Sequence, residues 1–294
     1  MTIQARKKIE GDQFIKDVSS IHAYILGFLW ADGYIQKNKR KYDYNIKINI
    51  NTEDAKEIYN LLLQTGDWKY SEYPNNNNNK IYARIYYANK YLHEFLCKND
   101  YLIKSSTQPT KILSHLNQDL HHYWWRGYLD GDGYYNLDPK TGQHVIYIAS
   151  NFDQNWDFCK NLCEELGVEF HLKSHKTTIH ANSHFYLVGK QNVYKFLHFI
   201  YKNYDNIGLS RKFNKFKNAV DFFKNQELTG IGLDKYKTNF YLRGVGSFKN
   251  LDKALNARRK FIWNKKRDQW NKYFPHLETY SKFLSSCILH PCGI

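Results

Sequence analysis

Two aspartates, Asp32 and Asp132, lie one hundred positions apart, and each is followed by glycine at the end of the same kind of stretch. The first copy reads Ile25-Leu26-Gly27-Phe28-Leu29-Trp30-Ala31-Asp32-Gly33 and the second Trp125-Arg126-Gly127-Tyr128-Leu129-Asp130-Gly131-Asp132-Gly133. Each reads as a helix ending at an acid. A helix C-terminus carries partial negative charge and free carbonyls. Two such ends brought side by side repel unless a cation joins them. A hard divalent ion, Mg²⁺ or Mn²⁺, is the natural partner, because it accepts carboxylates together with water and a phosphate oxygen. Asp32 and Asp132 are the expected ligands, with the carbonyls of Ala31 and Gly131 beside them. Such a centre suits hydrolysis of a phosphodiester.

The helices must bring those acids together. Ala23, Gly27 and Ala31 are spaced four apart and share one helix face, and Gly127 and Gly131 fall at the same phase in the second copy. Glycine within a soluble helix costs roughly 1 kcal/mol against alanine. Its use here points to close backbone contact between two helices. The bulkier residues around them, Ile25, Leu26, Phe28 and Leu29 against Trp124, Trp125, Tyr128 and Leu129, point to burial. Ser19 or Ser20 is expected to cap the first helix and Asn117 the second. Gly33 and Gly133 are expected in the left-handed conformation just past each end. One Asp-Gly after a helix is usually a simple stop signal; two copies in matching phase are far more specific.

Both stretches resemble the LAGLIDADG motif, and their duplication resembles the single-chain, two-repeat LAGLIDADG homing endonucleases. The second copy is the closer match; the first carries Trp30 where the motif has its earlier acid. The resemblance spans roughly residues 19 to 225. It implies that the final acids, Asp32 and Asp132, bind metal, that the working unit is a monomer, and that both strands of a long, specific double-stranded DNA target are cut with short 3′ overhangs.

Composition supports a polyanionic partner. The 294-residue chain has 43 Lys and Arg against 28 Asp and Glu, a net charge of +15. No apolar run approaches a membrane span, and Met1 to Asp17 lacks the apolar core of a secretory signal. The five cysteines, odd in number and irregular in spacing, fit reduced thiols in an intracellular protein of the cytoplasm, nucleoid or an organelle. Cys159 and Cys163 read as core on one helix face.

The chain is expected to divide into a polar leader (1–18), a first repeat (19–115), a second repeat (116–226), a small basic segment (227–274) and a tail (275–294). Within each repeat the order is helix, two strands, helix, two strands, helix. In the run Asn45 to Ile50, Ile46, Ile48 and Ile50 alternate with polar residues, and Ile146 and Ile148 repeat the pattern. The expected fold is therefore α+β: duplicated αββαββα units, with two antiparallel sheets forming a saddle on a central helix pair. The outer sheet faces carry Lys47, Asn49, Arg84, Tyr86, Tyr147, His171, Lys173 and Tyr186, suited to phosphate and base contacts in a major groove. Lys90 and Lys190, each between a strand and a helix, are candidates for the basic group that the resemblance places in the catalytic pocket.

Residues 230 to 274 hold 12 Lys and Arg, 3 Asp and no Glu. Three short strands and a helix are expected there. Gly230-Ile231, the turn at Asp234-Lys235, Phe248 and Leu251-Asp252-Lys253-Ala254 resemble the APETALA/ethylene-response DNA-binding domain. That resemblance implies DNA contact by Lys235, Lys237, Tyr241 and Arg243. The functional expectation is a metal-dependent, site-specific DNA endonuclease. Its rival is a non-cleaving binder on the same scaffold, such as an RNA-splicing maturase or a DNA-binding regulator. The histidines form no His-Asn-His nuclease pattern.

Overall fold

The computed structural model describes residues 18–35, 44–74, 80–138, 141, 143–176, 181–227, 231–233, 240–242 and 245–265. The first repeat starts with α1 (Ser20–Asp32), followed by β1 (Gly33–Ile35), β2 (Asn45–Asn51), α2 (Thr52–Leu62), β3 (Lys69–Pro74), β4 (Ile81–Ala88), α3 (Lys90–Lys98) and α4 (Thr110–His115). The second holds α5 (His121–Asp132), β5 (Gly133–Asp138), β6 (Gln143–Ser150), α6 (Asp157–Leu166), β7 (His171–Lys176), β8 (Ala181–Val188), α7 (Lys190–Ile200) and α8 (Ser210–Glu227). Each repeat forms a four-stranded sheet, in the orders β1-β2-β4-β3 and β5-β6-β8-β7, with every pairing antiparallel. The α+β expectation holds. No described helix is long and apolar enough to cross a membrane.

The alternating isoleucines explain the sheet orientation. Ile46, Ile48, Ile146 and Ile148 are fully buried against the helices, so their neighbours face outward. Cys159 and Cys163 are likewise buried in the core. Ser19 is the N-cap of α1, its amide donating to His22 Nδ1 at 3.3 Å. Asn117 caps a 3₁₀ turn, Gln118–Leu120, instead of α5, whose N-cap is Leu120.

The central feature is the α1–α5 pair. A Cβ on Gly27 would fall on the Trp124 carbonyl, and a Cβ on Gly127 on the Tyr24 carbonyl. The two helices thus exchange glycines against backbone in a reciprocal way. Further along, Gly131 meets Ala31. Gly33 and Gly133 depart from expectation. Their φ values, −71° and −84°, are extended, and each is the first residue of a strand. Glycine is needed there for space: a Cβ would press on the backbone of Leu29 or Leu129. The chain passes from helix to strand with no linker, so the acid before each glycine is held rigidly.

Arg126, with no exposed surface, is the main polar anchor of the second repeat. Its guanidinium donates to the carbonyls of Ile200 (3.0 Å), Lys202 (3.0 Å) and Ile207 (2.8 Å), and lies over the Tyr123 ring at 4.7 Å. Arg126→Met would leave these acceptors without their donor in the core. A loss of roughly 3 kcal/mol or more is expected, read by urea unfolding.

His144 is also buried, and burial, with the nearby Lys190 charge, lowers its pKa from 6.5 to about 4. The unfolded chain therefore binds a proton that the folded chain refuses between those values. Stability should fall as pH drops through this window, by on the order of 1–3 kcal/mol from this residue. His144→Gln should flatten the slope between urea titrations at pH 7 and pH 5.

In the C-terminal segment, β9 (Ile231–Leu233), β10 (Phe240–Leu242) and β11 (Gly246–Phe248) form an antiparallel sheet in the order β11-β10-β9, followed by α9 (Leu251–Lys265). The three strands and the helix stand in the expected order.

Candidate active site

The reciprocal helix contact delivers both acids to one place. The Asp32 carboxylate lies against Gly131 of the opposite helix, so close that a Cβ there would stand 3.1 Å from Asp32 Oδ2. Asp132 follows Gly131 directly. Desolvation by the surrounding protein and the negative charge of Asp32 push the Asp132 pKa to about 7. Asp32 is raised as well, chiefly by desolvation, while the charges of Lys104 and Lys212 oppose the rise. Like charges at this separation disfavour joint ionisation unless positive charge is supplied.

Part of that charge comes from two lysines. Lys104 Nζ donates to the carbonyls of Leu29 (3.2 Å), Ala31 (2.6 Å) and Gly33 (2.7 Å). Lys212 Nζ donates to Leu129 (2.5 Å), Asp130 (2.9 Å) and Gly133 (2.6 Å). Each ammonium thus caps one helix end, where orphan carbonyls and the dipole favour a cation. Burial lowers both pKa values to about 8, which leaves both groups mostly charged at neutral pH.

Lys90 and Lys190 do not take these places. Lys90 opens α3 with its amine 3.9 Å from Glu94, and Lys190 opens α7 near His144. Both residues fall at the N-terminus of a helix, whereas the carbonyls of the motif-helix ends accept from Lys104 and Lys212. Lys104 is 71 residues from Gly33, whereas Lys212 is 79 residues from Gly133. These unequal separations break the offset of one hundred that relates the two motifs. The available signal was weak: one lysine follows an aliphatic run in a turn and the other opens a basic helix.

The two repeats hold their lysines differently. In the first, Trp30 packs edge-on against Tyr101 with ring centroids 4.9 Å apart, and Tyr101 donates to the Leu26 carbonyl at 2.8 Å. In the second, Asp130 stands at the Trp30 position. It accepts from Tyr24 Oη (2.9 Å) and from the Leu209 amide (2.7 Å), at the start of the helix bearing Lys212. The departure of the first copy from the acidic pattern is therefore an exchange of an apolar clamp for a polar one.

Two clefts open beside the helix ends. One of about 200 Å³ includes Ala31, Lys104, Asp132, Ser150 and Asn151. The other, about 540 Å³, includes Gly131, Tyr134, Arg211, Lys212 and Lys215. Among the described residues no group of three or more His, Cys, Asp or Glu side chains is placed to hold a metal. The two carboxylates nevertheless suit a hard cation that keeps water and phosphate ligands. The Ala31 carbonyl already accepts from Lys104, so one of its two lone pairs remains for a metal.

The outer sheet faces run continuously from the site. One row across the first sheet is Tyr34, Lys47, Tyr86 and Lys69; its counterpart in the second is Tyr134, Tyr147, Tyr186 and His171. Asn49, Arg84 and Tyr86 are exposed, as are His171 and Lys173; Lys47, Tyr147 and Tyr186 are half-buried. Arg84 Nε donates to Asn49 at 3.4 Å and covers the Tyr73 ring at 4.8 Å. Tyr147 pairs with His184, and Tyr186 stacks on His171. Tyr34 and Tyr134, exposed one residue after each Asp-Gly, escaped the sequence reading. Strand alternation alone would have placed them outward. Tyr241 is exposed on β10, while Lys235, Lys237 and Arg243 lie outside the described residues.

The sequence pattern of the LAGLIDADG-like domain matches residues 19–98 and again 119–201, more than half of the chain. An uncharacterised protein of Methanocaldococcus jannaschii is 27% identical over 153 residues, 50% of this chain and 55% of that protein. The chain thus spans about half the length of that relative. Among solved structures, the homing endonuclease I-WcaI bound to its DNA recognition sequence is similar with a TM-score of 0.49 at 14% identity, covering 74% of this chain and 94% of the other. I-DmoI in complex with DNA and Ca gives 0.48 at 16% identity, covering 69% and 99%.

Proposed function

This chain belongs to the LAGLIDADG-like domain family, with two copies in one polypeptide, and from that premise we propose that it is a site-specific endonuclease that hydrolyses both strands of duplex DNA. The observation that carries the reading is the meeting of Asp32 and Asp132 at paired helix ends, each end capped by a lysine, Lys104 half-buried and Lys212 buried. Divalent metal, Mg²⁺ or Mn²⁺, would be held by Asp32 and Asp132, with the Ala31 and Gly131 carbonyls as further donors. When bound it would activate water and stabilise the leaving oxygen. Lys104 and Lys212 keep the helix ends in place and add positive charge where phosphate charge develops.

The two sheets supply the binding surface. Lys47, Arg84 and Lys173 would contact phosphates, and Asn49 with the tyrosines would face base edges or sugars. The segment 227–274, net +9 over residues 230–274, would extend contact along the duplex. Since one chain carries both acids, a monomer is the working unit.

Selection of cleaved sites from a random duplex pool in Mg²⁺ tests the reading. Recovery of one long sequence cut on both strands supports it. A protein that binds duplex or intron RNA tightly but cuts no member of the pool would sustain the non-cleaving alternative instead.

A further inference from the structure

The helix that carries Lys212 is held at its start by the other repeat. Glu57, on α2 of the first repeat, accepts from the Ser210 amide at 2.8 Å and from the Ser210 hydroxyl at 3.1 Å. One turn earlier on α2, the buried Asp54 takes both arms of Arg211, from Nε at 2.5 Å and Nη2 at 2.6 Å. Ser210 and Arg211 are the first two residues of α8, and Lys212 is the third. The first amides of a helix lack intrahelical acceptors, and the positive end of the dipole favours carboxylates. Glu57 stands too far along α2 to serve that helix's own N-terminus, which Asn51 caps. Its partner is instead the second repeat.

We propose that Asp54 and Glu57 of the first repeat are positioning residues that seat Lys212 of the second repeat at the end of α5. They touch no reacting group. They fix the first turn of α8, and Asp130 fixes the residue before it through the Leu209 amide. Lys104 follows Tyr101, which packs on Trp30 of its own repeat, and Trp30 in turn meets Trp124 of the second repeat with rings 6.4 Å apart; among the described residues no carboxylate of the second repeat is used there in the way Asp54 and Glu57 are used here. The seating of Lys212 in the second repeat therefore depends on two carboxylates of the first. The consequence for cleavage rests on the endonuclease reading, but the positioning itself does not.

The test uses the full chain carrying Glu57→Ala, Arg211→Gln or both, two changes at partly exposed side chains. Lysine acetylation by N-hydroxysuccinimide acetate, followed residue by residue with mass spectrometry, reads the seating directly. Lys212 should acetylate about tenfold faster in the variants, with Lys104 unchanged. Glu57→Gln, which keeps an acceptor oxygen, should restore much of the protection. On a selected duplex target with each strand end-labelled, one strand should be cut about tenfold more slowly and nicked product should accumulate. Unchanged Lys212 acetylation overturns the proposal. So does equal exposure of both lysines, or equal slowing of both strands, since either marks general loosening. If the wild-type protein cuts no duplex, the endonuclease reading fails while the acetylation result still decides the positioning.

Discussion

Asp132→Asn should abolish double-strand cleavage, with a loss of at least about a thousandfold on the strand served by that helix end. The substitution keeps size and hydrogen-bonding capacity but removes one of the two charges that would hold a divalent cation. Binding to the duplex should change little, because the proposed contacts lie on the outer sheet faces and do not use the Asp132 side chain. The metal-free protein should also melt at a higher temperature than wild type. Desolvation and the Asp32 charge already disfavour ionised Asp132, so the amide relieves strain that the carboxylate imposes. Wild type should recover that difference on addition of Mg²⁺, and the variant should not. End-labelled cleavage, filter binding and thermal melts with and without Mg²⁺ check the three parts. Loss of duplex binding together with cleavage would make Asp132 a structural residue and remove the basis of the endonuclease reading.

The second large effect concerns the helix pair. Gly127→Ala should destabilise the protein by about 3 kcal/mol or more, enough to impair folding. The added methyl would meet the Tyr24 carbonyl and the Phe28 amide, which are backbone atoms and cannot rotate away. Gly27→Ala should behave alike through the Trp124 carbonyl. Gly131→Ala reaches the site as well. Its methyl would overlap the Ala31 Cβ, which moves only with its backbone, and would also press on the Asp32 carboxylate, so cleavage should be lost along with stability. Urea unfolding of the three variants, with cleavage of those that fold, tests these expectations. A Gly131→Ala protein that folds and cleaves at the wild-type rate would contradict the contact with the Asp32 carboxylate.

Much of this architecture is legible in the chain because it is written in local periods. Helical spacing of Gly27 and Ala31, repeated by Gly127 and Gly131, specifies a close pair of helices. Alternating isoleucines specify which sheet face is buried. Both patterns depend on neighbours within a turn or two residues, and duplication at a constant offset doubles the signal. The Asp-Gly pairs at the helix ends inherit their position from those patterns.

Tertiary structure alone decided the rest. Gly33 and Gly133 are glycines for lack of room beside the preceding turn, a constraint that their sequence neighbours do not reveal. Trp30 and Asp130 occupy matching positions and do the same task with different chemistry, because each answers to a different returning segment. Lys104 and Lys212 reach the helix ends from residues far along the chain, through unequal connections that no fixed spacing records. The sequence determined two equivalent helices ending in acids, since short-range hydrophobic period suffices for that. Which cations serve those acids, and which repeat holds them in place, was settled by where long loops return, and that depends on packing across the whole domain.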